Sequence, residues 1–209
     1  MIGIIDYGMG NLFSVSKALE RLDVPYTFGD RPERLEGCDG LILPGVGAFP
    51  DAMKALAEHG FIQFIQAQVN KGTPVYGICL GMQLLFESSE ENGHTGGLGL
   101  LPGTIIRFSG KTGQQTSYKV PHMGWNRLQL HQPDQPLLEK IQEDHVYFVH
   151  SYYVETDDPD ILFATADYHV NVPAIVGRGN LYASQFHPEK SGAAGMQLLE
   201  NFCKRIVGE

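Results

Sequence analysis

Basic clusters, long apolar runs and paired cysteines are all missing from this 209-residue chain, and each absence removes a class of function. Lys and Arg number 15 against 24 Asp and Glu, a formal charge of −9 with no basic run. Neutralising nucleic-acid phosphates needs a basic footprint, so a nucleic-acid-binding surface is not expected. No stretch approaches the roughly 18 uninterrupted apolar residues of a membrane helix. The opening MIGIIDYGMGN has no basic flank, and its apolar run stops at Asp6. It reads as a first strand rather than a signal peptide. The three cysteines, Cys38, Cys79 and Cys203, are odd in number and far apart. They argue against a secreted disulfide scaffold and for a reducing, cytoplasmic location. Neither His-Glu-x-x-His nor Cys-x-x-Cys occurs, so no metal site is expected.

What remains is an ordinary globular balance, 43% hydrophobic and 19% charged, in a chain long enough to bury a core. Its length favours one domain spanning residues 1–209. The first half alternates strand and helix signals. Ile2–Ile5 is a short apolar run ended by Gly8-Met9-Gly10, after which Asn11 caps a helix with Leu12, Val15, Leu19 and Leu22 on one face. Strands are expected at 24–28, 40–43 and 73–78. Between the last two, a helix carrying Met53, Leu56 and Ala57 starts near Pro50, breaks at Gly60 and resumes over 61–69. A further helix is expected over 80–87. Apolar strands separated by helices indicate a parallel sheet.

From Pro102 onward strands and turns dominate, with expected strands at 104–108, 125–131, 146–149, 161–165, 174–178 and 181–186. Residues 93–99 and 109–115 read as exposed loops. A closing helix places Met196, Leu199, Phe202 and Ile206 at helical spacing. The expected architecture is a three-layer α/β fold whose central, mostly parallel sheet gains antiparallel strands in its second half.

Three segments carry chemistry. Gly77-Ile78-Cys79-Leu80-Gly81, between a strand and a helix, has the small-x-nucleophile-x-small form of a nucleophile elbow with Cys in place of Ser. The tight turn strains the nucleophile backbone and demands small neighbours two residues away. It also sets the sulfur at a helix N-terminus, which favours thiolate, and frees the Leu80 N–H for a reacting oxyanion. Against this, a free Cys is often only a small core hydrophobe. Gln185-Phe186-His187-Pro188-Glu189 offers a base, His187, and an acceptor to orient it, Glu189, although taken alone it is more simply a surface loop with a chance His-x-Glu pair. His59, His94, His131, His145 and His169 are more simply solvated or structural. Pro44-Gly45-Val46-Gly47, after the third strand, lets backbone N–H groups approach a ligand closely, as an oxyanion hole requires.

Taken together these segments resemble the class I glutamine amidotransferases of the Cys-His-Glu type, and the resemblance covers essentially the whole chain. More narrowly, Asp6-Tyr7-Gly8-Met9-Gly10-Asn11-Leu12, Pro121-His122-Met123-Gly124-Trp125-Asn126, Tyr147-Phe148-Val149-His150-Ser151-Tyr152 and Lys190-Ser191 resemble the glutaminase subunits of imidazole glycerol phosphate synthases. The resemblance implies glutamine hydrolysis by Cys79, His187 and Glu189, with Gly45, Val46, Gly47 and Leu80 forming the oxyanion hole. It places the substrate's amino-acid end on Gln83, Ser151 and Tyr152, and it implies no cofactor. It further implies a partner, a (β/α)8-barrel cyclase subunit that takes the ammonia, docked on Asn11, Met123, Trp125 and Lys190. Another amidotransferase subunit shares the triad but has no reason to carry the segment 121–126. A γ-glutamyl peptidase of the same fold would act alone with no ammonia acceptor, and the intact triad counts against a non-catalytic scaffold.

Overall fold

The computed structural model describes residues 1–112 and 116–208. Its first half consists of β1 (Ile2–Ile5), α1 (Leu12–Arg21), β2 (Tyr26–Gly29), β3 (Gly40–Gly45), α2 (Phe49–Glu58), α3 (Phe61–Asn70), β4 (Val75–Cys79) and the short α4 (Leu80–Leu84). Then come β5 (Phe86–Ser89), β6 (Thr95–Gly96), β7 (Leu101–Arg107), β8 (Lys111–Thr112), β9 (Thr116–Ser117) and β10 (His122–Arg127). These are followed by β11 (Gln129–Leu130), β12 (His145–His150), β13 (Tyr152–Glu155), β14 (Leu162–Asp167), β15 (Asn171–Arg178) and β16 (Leu181–Ser184). The chain closes with α5 (Gly192–Glu200), which widens into a π-helix over Asn201–Ile206.

The central sheet has eight strands in the order β11-β14-β15-β16-β4-β3-β1-β2. The five from β16 to β2 run parallel, and β15, β14 and β11 add antiparallel pairs. This is the expected mixed α/β sheet. Period-2 side-chain alternation divides its strands between two cores. Ile5, Leu41, Leu43 and Val75 pack with Phe49 and Leu56 of α2 and Phe61 and Ile65 of α3. Ile2, Ile4, Ile42, Tyr76 and Ile78 pack on the other face with Val15 and Leu19 of α1 and Leu198 of α5. A sheet covered on both faces must be apolar at nearly every position, as these strands are.

Several boundaries differ from expectation for identifiable reasons. The helix expected over 80–87 ends at Leu84. Leu84, Leu85 and Phe86 are all fully buried. The Leu85 carbonyl instead accepts from the Leu100 and Leu101 N–H groups, and β5 begins a second sheet, β13-β7-β5-β6. Residues 93–99 are therefore not simply an exposed loop, because they hold β6 and the buried Leu98. Residues 113–115 of the other expected loop lie outside the described residues. The second strand starts at Tyr26 rather than at residue 24, since Pro25 has no N–H for a ladder. The strand expected over 125–131 is two, β10 and β11, parted at the fully buried Leu128. The buried stripe of α2 is Phe49, Ala52, Met53 and Leu56, and Ala57 lies outside it. The break at Gly60 occurs where expected, with φ +74°. Among the described residues, no helix is long and apolar enough to cross a membrane.

Candidate active site

Two of the sequence-predicted segments meet because β3 and β4 are parallel neighbours in register. Pro44 lies opposite Ile78, and Gly45 opposite Cys79. The Gly-rich turn and the elbow thus leave the carboxyl ends of adjacent strands, the usual ligand position in such sheets. Cys79 takes φ +55° and ψ −110°, the strained geometry of a nucleophile elbow. Its neighbours must be glycine for want of space. A Cβ on Gly81 would stand 1.8 Å from the Leu43 carbonyl oxygen, and one on Gly77 would stand 2.8 Å from the Gly81 carbonyl oxygen. Gly81→Ala is accordingly expected to cost about 1–3 kcal/mol or more through forced backbone shifts. A urea midpoint for this variant equal to that of wild type would refute the close approach.

The third segment arrives from β16, the other parallel neighbour of β4. The loop after it is pinned: Ser191 Oγ donates to the His187 carbonyl at 2.7 Å and accepts from the Tyr147 N–H at 3.0 Å. His187 Nδ1 lies 2.9 Å from Glu189 Oε1, with side-chain exposures of 4% and 1%. The other ring nitrogen is left for Cys79, which lines the same cleft. Burial alone pulls the His187 pKa down. Hydrogen bonds to Cys79 and Glu189, and the charges of both, outweigh it and hold the imidazolium up to about 9. Tyr7 closes the rear of the elbow, its hydroxyl donating to the Pro44 carbonyl at 2.9 Å.

Cys79 and His187 open into a cleft of about 390 Å³. Val46, Gly47 and Leu80 line it on one side, and Gln83, Ser151 and Tyr152 on another. Gly45 and Glu189 sit behind it, around a small void that also touches Asn11. Both Gln83 amide hydrogens are committed, to the Tyr152 carbonyl at 3.0 Å and to Gln185 Oε1 at 3.1 Å. Gln185 Nε2 points back to Cys79 Sγ at 3.9 Å. In the Gly-rich turn the Val46 N–H donates to the Met9 carbonyl at 3.1 Å, and Gly47 takes φ +106°.

Three lining or bridging residues escaped the sequence reading. Glu91 lines the cleft while its Oε2 accepts the Phe49 N–H at the start of α2. In sequence it is one of two adjacent glutamates and resembles a solvated surface. Gln185 sits inside the His-Glu motif, and only its contacts distinguish it. His150 lines the cleft from β12 and pairs with His122.

Of the four residues expected to meet a partner, three are exposed. Met123 and Trp125 are 60% and 57% exposed on the outer face of the β10-β12 ribbon. The Trp125 ring lies 6.0 Å from that of Tyr147, whose carbonyl accepts the His187 N–H. Lys190 is exposed at the end of the turn that carries Glu189, and Asn11 caps α1 by accepting the Ser14 N–H. Phe13, 70% exposed beside Asn11, was not expected there.

The family model "Glutamine amidotransferase class-I" matches residues 3–206. The chain is 62% identical over 208 residues to the imidazole glycerol phosphate synthase subunit HisH of Geobacillus kaustophilus, covering 100% of this chain and 98% of that one. To the HisH subunit of Bacillus subtilis it is 54% identical over 204 residues, covering 98% and 96%. Among solved structures it is similar in fold to a glutamine amidotransferase, with TM-score 0.74 at 22% identity over 100% of this chain and 99% of that one. It is also similar to PurLQS from Thermotoga maritima, with TM-score 0.76 at 18% identity over 98% of each. The chain belongs to the class I glutamine amidotransferase family, and within it to the HisH subunits of imidazole glycerol phosphate synthase.

Proposed function

We propose that the chain, as one amidotransferase domain over residues 1–209, hydrolyses glutamine at this cleft and passes the ammonia to a (β/α)8-barrel cyclase subunit. The observation that carries the reading is the strained Cys79 in one cleft with a buried His187 that Glu189 orients. Cys79 Sγ attacks the side-chain amide carbon of glutamine. The resulting oxyanion is met by the Leu80 N–H and by an N–H of the Gly45–Val46–Gly47 turn. His187 gives its proton to the departing ammonia, leaving a glutamyl thioester, and then takes a proton from the water that hydrolyses it. Gln83 and the Ser151–Tyr152 backbone hold the amino-acid end, and the Glu91 carboxylate suits its ammonium group. No step draws on a metal or cofactor.

The cyclase then makes imidazole glycerol phosphate and aminoimidazole carboxamide ribotide. The names of the HisH relatives support this reading, as does the exposed Met123–Trp125 face beside the cleft. Aromatic and Met residues are the enriched types at interface cores. A cytoplasmic location is supported by three free cysteines. The experiment is ammonia release from glutamine, with and without the barrel subunit, together with imidazole glycerol phosphate formation by the pair. Absence of both products from the assembled pair overturns the reading.

His187 and Glu189 are expected to act as one unit. His187→Ala lowers glutamine turnover more than Glu189→Ala, because losing the base costs more than losing its orienter. The double variant falls little below His187→Ala alone. Single and double mutant kcat/KM values check this, and effects that simply multiply would uncouple the pair.

A further inference from the structure

Two buried histidines that the triad does not use lie against the backbone proposed to hold the substrate, and one of them, His150, also lines the cleft. His122 on β10 and His150 on β12 are cross-strand partners, 2% and 7% exposed. Their contacts admit one consistent direction of donation. His150 Nδ1 is 2.8 Å from the Tyr152 carbonyl, a pure acceptor, so that nitrogen carries the proton and Nε2 is left to accept. His122 Nδ1 is 2.9 Å from His150 Nε2 and therefore donates to it. His122 Nε2 then accepts from Asn126 Nδ2 at 3.2 Å, and the same amide donates to the Asp167 carbonyl at 2.8 Å. Every polar atom in this chain of contacts has a role that matches its neighbour's.

Such directionality requires both rings to be neutral. Burial holds the His122 pKa down to about 4 and that of His150 to about 3, the latter against its bond to the Tyr152 carbonyl and helped by the charges of His122 and His187. The rings are also fixed in plane. His122 stacks on Phe148 at 4.5 Å and on Tyr168 at 3.9 Å between centroids. The terminal acceptor is the decisive point. The Tyr152 carbonyl has two lone pairs, one filled by His150 Nδ1 and the other by Gln83 Nε2. The backbone at 151–152 is thus clamped from opposite sides, by Gln83 from the nucleophile side and by the histidine pair from the ribbon side.

We propose that His150, backed by His122 and Asn126, is a positioning residue that clamps the Ser151–Tyr152 backbone in the conformation that binds the amino-acid end of glutamine. The proposal rests on the glutaminase reading above. The clamp touches neither the reacting carbonyl nor the departing ammonia, so its loss weakens substrate binding rather than the chemical step. Losing one such bond and leaving a buried carbonyl half-satisfied corresponds to about a five- to tenfold rise in KM.

The test is steady-state ammonia release by the full chain, assembled with its barrel subunit, over a range of glutamine concentrations. His150→Leu is expected to raise KM about five- to tenfold with kcat within twofold of wild type. His150→Asn, which keeps an N–H donor near the Nδ1 position, is expected to recover most of the loss. Asn126→Ala, at the half-exposed outer end, keeps the fold and raises KM about two- to threefold. It also carries the test if His150→Leu does not fold. Its effect is not additive with that of His150→Asn, because the two share one chain of bonds. An unchanged KM in both His150→Leu and Asn126→Ala overturns the proposal, as does a fall in kcat at constant KM. Those outcomes leave the glutaminase reading standing, because wild type still turns over. No ammonia release by wild type overturns that reading, and the proposal with it.

Discussion

Cys79→Ala is expected to abolish ammonia release from glutamine, by roughly 10⁴-fold or more, while leaving the fold and partner docking intact. Alanine at this position keeps the Cβ and the elbow and removes only the sulfur. His187, Glu189 and the cleft then remain in place with nothing to attack the amide carbon. The other two cysteines provide the internal comparison. Cys38 and Cys203 are both buried and free. Burial raises the pKa of Cys38 and pushes that of Cys203 up to about 12, so neither is a ready thiolate. Cys203 packs with the Tyr76 and Phe202 core, so Cys203→Ala costs stability of the cavity-forming kind without silencing turnover. Free ammonium, supplied to the assembled pair with the barrel's nucleotide substrate, is expected to bypass the Cys79→Ala defect, because it replaces the product of the missing step. Ammonia release from glutamine by Cys79→Ala at the wild-type rate would refute the nucleophile assignment.

The parts of this site that were legible in the sequence are those where backbone geometry dictates residue type. The elbow can be read because only glycine tolerates a Leu43 carbonyl oxygen 1.8 Å from where a Cβ would stand. The parallel first half can be read because strands covered on both faces leave uninterrupted apolar runs. Glu91 was not legible, because its place in the cleft comes from capping α2, 42 residues away in sequence. β5 was missed for a related reason. Leu84-Leu85-Phe86 is apolar at consecutive positions, and a short apolar run does not separate helix from strand. Its strand character comes from the carbonyls that the segment 98–101 must satisfy. The histidine pair was invisible as well: His122 and His150 are 28 residues apart, and only the β10-β12 register brings their rings together.

The conformation of the Gly-rich turn leads to the second large effect. Isolated, the chain is expected to hydrolyse glutamine slowly, and docking of the barrel subunit with its nucleotide ligand is expected to raise the rate by about 10²–10³, the worth of one oxyanion donor. The Val46 N–H, the donor that the turn would offer to the oxyanion, is spent on the Met9 carbonyl. A tetrahedral intermediate formed in this state lacks the Val46 N–H as a donor. Freeing the donor requires the Gly45–Val46 peptide to rotate. Glycine on both sides of Val46 keeps that rotation cheap, although Gly45 itself packs closely against the Gly81 N–H and the Tyr7 hydroxyl. Met9 belongs to the turn that leads into α1, whose cap Asn11 is among the residues proposed to meet the partner and whose Phe13 is 70% exposed. A partner pressing there bears directly on the acceptor that holds Val46. Binding that favours the rotated state shifts the population towards it in proportion to the difference in affinity for the two states. The measurement is ammonia release by the isolated chain, by the pair, and by the pair with nucleotide ligand, at saturating glutamine so that kcat is compared. A kcat that rises stepwise across the three supports gating at the oxyanion donor. A gain confined to KM would place the effect at the amino-acid end of the cleft instead. Full activity in the isolated chain, unchanged by partner or ligand, would refute gating and leave Cys79, His187 and Glu189 as the acting residues.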